Sequence, residues 1–314
     1  MLTATVLAAS IFVTACAPAP PERGTEPDPS AAEVVDPSYG AHRPADVSDV
    51  LYRADGYRGC ESGVTHEPCG GSQTLDIYRH DPAAAPRGTI VFVHGGGFSQ
   101  GDKSDHGGIG FLMAQRERGW DLVMANYRLY RAGWAQWPTA VADVAAAVDW
   151  VRTSGPSMGA DPQRVVVAGH SAGGTLAALV GVAWNSGDDA YQSVAHVDGW
   201  ISVAGILDFN FGGADGLWAP RWGGSAPVLS RMSPVSFLDA GDPPGYVVHG
   251  DADRFVPAGH SSGFSSVAAR RGASVRFDLV DRWAGGAPMP ATMKAHSPGG
   301  GVNQTSLNRY LDGI

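Results

Sequence analysis

Apolar residues along this chain fall into two alternating patterns from about residue 47 onward. Residues 89–93 and 164–168 are nearly continuous apolar runs, as is typical of strands buried on both faces. Residues 74–78 alternate apolar and polar positions, which predicts a strand with one exposed face. The remaining apolar runs predict strands at 122–125, 199–203, 246–249 and 275–280.

Longer segments between these runs repeat at helical spacing. Within residues 138–152, valines recur every three or four positions, at Val141, Val144, Val148 and Val151. Further helices are predicted at 172–184, 258–271 and 304–311. Strands that alternate with helices imply an α/β fold, with a mostly parallel sheet covered by helices on both faces.

No internal repeat interrupts this alternation, and residues 45–314 are therefore predicted to form one domain. In one stretch within this domain, residues 205–235, the apolar residues follow neither the spacing of a strand nor that of a helix. It holds the aromatic residues Phe209, Phe211, Trp218 and Trp222. An aromatic insert between core strands is a candidate lid or pocket wall, and the alternative is a surface excursion with its own small cluster.

Composition and charge exclude several classes of protein. The 314 residues are 44% hydrophobic and 17% charged, which is too apolar for a disordered acidic chain. Thirty-one acidic and 22 basic residues give a net charge of −9, with no basic block, which argues against nucleic acid as a partner. No apolar run reaches about 18 residues, which excludes an ordinary polytopic membrane protein.

The first residues look like an export signal. Residues 1–15 are apolar and uncharged, too short to span a bilayer but suited to a signal peptide. Cys16 follows Val-Thr-Ala, which resembles a bacterial lipoprotein box and predicts lipidation and membrane attachment at Cys16. The alternative is a signal without lipid, cleaved near residues 15–19. Residues 16–44 are rich in Pro, Ala and acids and predict a flexible tether.

The two other cysteines, Cys60 and Cys69, close a short loop. In an exported protein the expected use of two loop cysteines is a disulfide. A zinc site needs more soft ligands than the single nearby His66 offers, so no metal is expected there.

The strongest chemical signal is Gly-His-Ser-Ala-Gly-Gly at 169–174, centred on Ser171. It contains Gly-x-Ser-x-Gly directly after an apolar strand and directly before a helix, the arrangement of a nucleophile elbow. The sharp turn holds the serine in a strained conformation, with its hydroxyl above the sheet at a helix N-terminus. The adjacent His170 is expected to be a packed neighbour and not the base.

A second glycine-rich segment, His94-Gly-Gly-Gly-Phe98, also ends an apolar strand. Consecutive glycines let backbone N–H groups approach a developing oxyanion without side chains in the way. His94 itself is expected to brace this loop, because the base of such a site follows the serine in the sequence.

The acid and the base are expected after Ser171 in the chain. Two aspartates compete for the role of acid behind the strand at 246–249; Asp253, which precedes Phe-Val-Pro, is favoured over Asp251. His260 and His296 are the histidines that follow. His260 falls in a predicted helix, whereas His296 lies in a loop before the last helix and is the predicted base.

These motifs resemble the His-Gly-Gly-Gly type of α/β-hydrolase esterases, the hormone-sensitive-lipase-like and feruloyl-esterase-like carboxylesterases. The resemblance covers about residues 72–312. It includes Asn-Tyr-Arg-Leu at 126–129 and Asp143, which the resemblance implies to be structural supports. It implies oxyanion donors at Gly96, Gly97 and Ala172. His296 departs from the family pattern, since Ser-Pro follows it.

The resemblance implies a serine carboxylesterase with the triad Ser171, Asp253 and His296, acting on a short-acyl or aromatic ester. It implies no metal and no organic cofactor. An amidase or peptidase of the same fold, or an exported binding module with an inactive site, are the alternatives. Neither the natural substrate nor the oligomeric state can be read from the sequence.

Overall fold

The computed structural model describes residues 44–53, 73–105, 110–130, 138–194, 196–211, 226–280, 296 and 302–314. Within these ranges, eight strands form one sheet in the order β1-β2-β4-β3-β5-β6-β7-β8. The strands are β1 (Val47–Leu51), β2 (Thr74–Tyr78), β3 (Gly88–Val93), β4 (Trp120–Ala125), β5 (Val165–His170), β6 (Gly199–Val203), β7 (Gly245–Gly250) and β8 (Val275–Val280).

The sheet is parallel from β4 through β8, and only β2 pairs antiparallel, with β1 on one side and β4 on the other. The prediction of a mostly parallel sheet is confirmed. Because parallel strands end at the same edge of a sheet, the carboxyl ends of β3, β5 and β7 meet there. The three predicted chemical segments follow these strands.

Helices cover both faces of the sheet. They are α1 (Gly110–Met113), α2 (Thr139–Thr153), α3 (Ala172–Val182), α4 (Ala226–Met232), α5 (Gly259–Arg271) and α6 (Gln304–Asp312). Val91 and Val93 of β3 point into the core under α2, α3 and α5, whereas Ile90 and Phe92 point into the core under α1 and α6. Successive strand residues face opposite sides, so two cores require the continuous apolar runs seen in the sequence.

The predicted half-exposed strand at 74–78 is wrong in one respect, because all five residues of β2 are buried. Asp76 is buried since the ammonium of Lys103 lies 2.8 Å from its Oδ1, which also accepts a hydrogen bond from the Asp49 N–H. The polar positions of this strand are therefore paired inside the protein rather than solvated.

The predicted strands and the four predicted helices are confirmed to within two residues at nearly every end. Three elements have no counterpart in the prediction: β1, α1 and α4. Each is seven residues or fewer, too short for a repeating apolar pattern to stand out from its surroundings.

Several predictions fall outside the described residues and stay predictions: the signal at 1–15, lipidation of Cys16, nearly all of the tether at 16–44, and the Cys60–Cys69 disulfide. Trp218 and Trp222 of the insert lie there as well. In the part of the chain that the structure describes, no helix combines the length and the apolar character needed to cross a bilayer.

Candidate active site

Ser171 occupies the turn between β5 and α3, and its backbone is strained, with φ 55° and ψ −119°. The turn is possible because the glycines two residues before and two residues after Ser171 lack side chains. A Cβ on Gly169 would lie 2.2 Å from the Gly173 carbonyl oxygen, and a Cβ on Gly173 would lie 2.1 Å from that of Val93. The Ser171 N–H donates to the Val203 carbonyl at 2.8 Å, which ties the turn to β6.

The structure brings Ser171, His296 and Asp253 into one hydrogen-bonded row. His296 Nε2 lies 2.8 Å from Ser171 Oγ, and His296 Nδ1 lies 2.7 Å from Asp253 Oδ2. All three side chains are buried. A carboxylate accepts from Nδ1–H, so Nε2 carries the lone pair that faces the serine hydroxyl.

Asp253 is held as a carboxylate by four donors. Its Oδ1 accepts from the N–H groups of Phe255 and Val256, at 2.8 and 3.0 Å, and its Oδ2 faces His249 and His296. Burial raises the pKa of Asp253, but the hydrogen bonds from His249, His296 and Val256 outweigh burial, and the pKa lies well below its usual range. Asp251, the competing acid, is exposed.

The glycine loop after β3 lies beside the serine because Val93 pairs with Gly169 in the sheet. Gly96 has φ 105° and Gly97 has φ 58°, and a Cβ on Gly96 would lie 1.9 Å from the Gln100 carbonyl oxygen. The loop turns on Gly96, whose carbonyl accepts from the N–H groups of Ser99 and Gln100, both at 3.1 Å. Among the described residues, none accepts a hydrogen bond from the N–H of Gly96, Gly97 or Ala172.

His94 braces the start of this loop and stays away from the serine. Its Nδ1 lies 2.7 Å from the Gly95 carbonyl oxygen, and its ring stacks on Tyr127 at 4.4 Å. Burial lowers the pKa of His94, which favours a neutral ring that donates from Nδ1. The Tyr127 hydroxyl donates to the His94 carbonyl at 3.2 Å and fixes the same turn from the other side.

Two further histidines lie close to the row without joining it. His170 donates from Nε2 to the carbonyl oxygen of His296, and burial, with a contribution from His296, lowers its pKa to about 3. His260, the competing base, lies in α5 with its ring against Phe211 at 4.8 Å, and burial lowers its pKa to about 4. Both rings are therefore neutral near pH 7.

Arg128 and Asp143 form a guanidinium–carboxylate pair next to Tyr127, whose hydroxyl contacts the start of the glycine loop. The fully buried Asp143 carboxylate accepts from the Arg128 N–H at 2.9 Å and from both arms of its guanidinium at 2.8 and 2.6 Å. Gln73 donates a further bond at 3.1 Å. A bidentate guanidinium–carboxylate pair is geometrically demanding, so this contact fixes the segment that carries Tyr127.

Asp143→Asn is expected to lower the free energy of unfolding by about 2–4 kcal/mol, because the partly buried Arg128 guanidinium loses its counter-charge. Urea denaturation followed by circular dichroism measures the change. Asp149→Asn on the exposed side of the same helix is the matched control and should stay within about 0.5 kcal/mol of wild type. Equal effects of the two substitutions would contradict the assignment of Asp143 as a buried support.

Two features of the site escaped the sequence analysis. The Phe255 ring lies 5.0 Å from the His296 ring and is 42% exposed, so it offers an aromatic surface at the rim of the site. His249, treated above only as the end of a strand, contacts Asp253. A polar residue that closes an otherwise apolar strand is the only signal that the sequence carried for His249.

Comparison with known proteins finds one family model and several relatives that are named esterases. The model of the BD-FAE family matches residues 75–267. Esterase LipQ of Mycobacterium tuberculosis is 28% identical over 233 residues, which cover 69% of this chain and 55% of LipQ. Esterase LipC of the same organism is 28% identical over 216 residues, which cover 62% and 51%. The chain thus spans about half the length of these two relatives.

Solved structures support the fold. A truncated carbohydrate esterase from gut microbiota has a TM-score of 0.66 at 23% identity, covering 86% of this chain and 98% of that one. A butyrate-bound esterase of Thermogutta terrifontis has a TM-score of 0.58 at 24% identity, covering 76% and 88%. At these identities the likeness establishes a shared fold.

Proposed function

This chain belongs to the BD-FAE family of α/β-hydrolases, and we propose that it is a serine carboxylesterase that acts through an acyl-enzyme. The single observation that carries the proposal is the row of short contacts from Ser171 through His296 to Asp253. The names of the relatives, Esterase LipQ and Esterase LipC, agree with it.

In the proposed reaction, Ser171 Oγ attacks the ester carbonyl as its proton passes to His296 Nε2. Asp253 holds the imidazole in the Nδ1–H tautomer and stabilises the imidazolium that forms. The imidazolium then protonates the departing alkoxide, and an acyl-enzyme remains on Ser171. Water, deprotonated by His296, attacks this acyl group. The bond to Ser171 Oγ then breaks, the imidazolium returns the proton to Oγ, and the acid is released.

The oxyanion of each tetrahedral intermediate is proposed to lie against the N–H groups of Gly96, Gly97 and Ala172. Their hydrogen-bonding capacity is not used by other described residues, and Ala172 also begins α3, whose N-terminus favours negative charge. Donors fixed in place before the reaction stabilise the developing charge without reorganisation. The hydrogen bonds from the Ser99 and Gln100 N–H groups to the Gly96 carbonyl hold the loop in this shape.

A short-acyl or aromatic ester is the proposed substrate. The exposed Phe255 ring beside His296 supports it, because an aromatic face at the rim favours an apolar acyl or alcohol group. Phe209 lies against Phe98, with ring centroids 6.3 Å apart, so the described start of the insert packs behind the glycine loop.

The proposal is tested with p-nitrophenyl esters from acetate to laurate and with a fluorophosphonate probe. We expect kcat/KM to be highest for the short chains and to fall for the long ones, and we expect the probe to label Ser171, as located by mass spectrometry. Activity on p-nitroanilides that exceeds activity on the esters would instead indicate an amidase. A folded protein that neither hydrolyses any ester nor reacts with the probe would be a binding module.

A further inference from the structure

His249 is a second histidine that contacts the Asp253 carboxylate. It is the penultimate residue of β7 and is completely buried. Its Nε2 is 3.3 Å from Asp253 Oδ2, the same oxygen that accepts from His296 Nδ1 at 2.7 Å. Two imidazoles thus face one carboxylate oxygen from two directions.

The contacts of the His249 ring fix where its protons lie. Nε2 is 2.8 Å from the Val256 carbonyl oxygen, which can only accept, so Nε2 carries a hydrogen. Nδ1 is 2.6 Å from the hydroxyl of Ser261, which is also completely buried and can donate to it. Nε2 therefore hydrogen-bonds to the Val256 carbonyl, and Asp253 Oδ2 lies 3.3 Å from the same nitrogen.

The charges around His249 come from several elements. The groups that interact with it are Asp253 in its own loop, His170 after β5, and His260 on α5, which in turn lies near Asp208. Burial keeps His170 and His260 neutral. Asp208 is partly exposed, which leaves Asp253 as the buried negative charge that the ring faces.

We propose that His249, oriented by Ser261, is a positioning residue that holds the Asp253 carboxylate in place for His296; this inference rests on the proposed esterase function. Polar contacts of 3.3 Å or less connect Ser261 through His249, Asp253 and His296 to Ser171. With backbone donors on Oδ1 and His249 on Oδ2, the carboxylate cannot rotate away from His296. The His249 donor also neutralises part of the carboxylate charge and so weakens its pull on the His296 proton.

The test compares His249→Gln with His249→Leu. A glutamine amide nitrogen reaches about as far as imidazole Nε2 and can donate to Asp253, whereas leucine fills the space and donates nothing. For p-nitrophenyl butyrate we expect His249→Leu to lower kcat about 10-fold with KM within about 2-fold. His249→Gln should recover most of that loss.

The pH profile separates positioning from packing. Without the His249 donor, the full carboxylate charge of Asp253 acts on the imidazolium form of His296 and stabilises it more strongly. The acid limb of kcat/KM should therefore move upward by roughly 0.5 pH unit in His249→Leu and return in His249→Gln. Equal losses in both variants with an unmoved acid limb would overturn the proposal and reduce His249 to a packing role.

Ser261→Ala decides the matter if His249→Leu does not fold. Removing the hydroxyl leaves the ring in place but unfixed, and we expect kcat to fall about 3-fold with an acid limb that moves in the same direction. An unchanged kcat and an unchanged acid limb in this variant would overturn the proposal.

Failure of this inference can be told from failure of the esterase function. If the wild type neither hydrolyses esters nor reacts with the fluorophosphonate, the esterase function itself is wrong and this inference fails with it. If the wild type hydrolyses esters and reacts with the probe, but the His249 variants have unchanged kcat and an unchanged acid limb, this inference alone is wrong.

Discussion

Ser171→Ala is expected to lower kcat/KM for p-nitrophenyl butyrate by about 10⁵-fold, close to the background of the fold without a nucleophile. The substitution removes the only oxygen that His296 Nε2 faces at bonding distance among the described residues. The turn itself should survive, because its strain is set by Gly169 and Gly173, and the Ser171 N–H still donates to Val203. Covalent labelling by the fluorophosphonate should disappear together with turnover.

A buried serine on the next strand provides the matched control. Ser202 is completely buried on β6, and its hydroxyl has no hydrogen-bond partner within the described ranges. Ser202→Ala should therefore keep kcat/KM within about 3-fold of wild type. Thermal denaturation shows whether each variant remains folded. Residual activity of Ser171→Ala above about 1% of wild type would contradict the assignment of Ser171 as nucleophile.

The elements that the sequence predicted well are those whose cause is local. β3 and β5 are continuous apolar runs because both faces of the sheet are covered, and this shows in the composition of each run. The Ser171 turn could be predicted for the same reason, since the glycines that permit it, Gly169 and Gly173, lie only two residues away on either side. In both cases the residues that determine the local structure lie within the same short stretch of chain as the structure itself.

Features that depend on distant partners could not be predicted in this way. The polar positions of β2 indicated an exposed face, yet Asp76 is buried because Lys103, 27 residues away, supplies its counter-charge. The choice of Asp253 over Asp251 rested on the following Phe-Val-Pro turn, and the contact that distinguishes them in the structure is with His296, 43 residues later. Contacts between residues this far apart in the chain produce no repeating pattern of apolar and polar positions in the sequence.

His249 illustrates the same limit. In the sequence it is one polar residue at the end of a buried strand, where a capping or packing role explains it equally well. Its contacts with Val256, Ser261 and Asp253 arise because the chain turns back beneath β7 and enters α5. That turn brings the three partners to the His249 ring, and the residue type alone does not predict them.

Asp253→Asn is expected to lower kcat for p-nitrophenyl butyrate by about 10³- to 10⁴-fold, although the side chain keeps its shape. The amide oxygen is required at Oδ1, where the N–H groups of Phe255 and Val256 donate. The amide nitrogen then takes the place of Oδ2 and donates toward His296 Nδ1. His296 must accept there, so its hydrogen moves to Nε2 and the lone pair that would take the Ser171 proton is lost.

Asp251→Asn is the matched control for this effect, because it makes the same chemical change two residues away on an exposed side chain. Its kcat should stay within about 3-fold of wild type. Histidine ¹⁵N NMR should detect the altered tautomer of His296 in Asp253→Asn and an unaltered one in Asp251→Asn. A loss of activity in Asp251→Asn that equals the loss in Asp253→Asn would mean that the loop as a whole, and not the Asp253 carboxylate, orients the base. A tautomer shift confined to Asp253→Asn, with the loss of kcat confined to the same variant, identifies Asp253 as the acid that sets the proton position on His296.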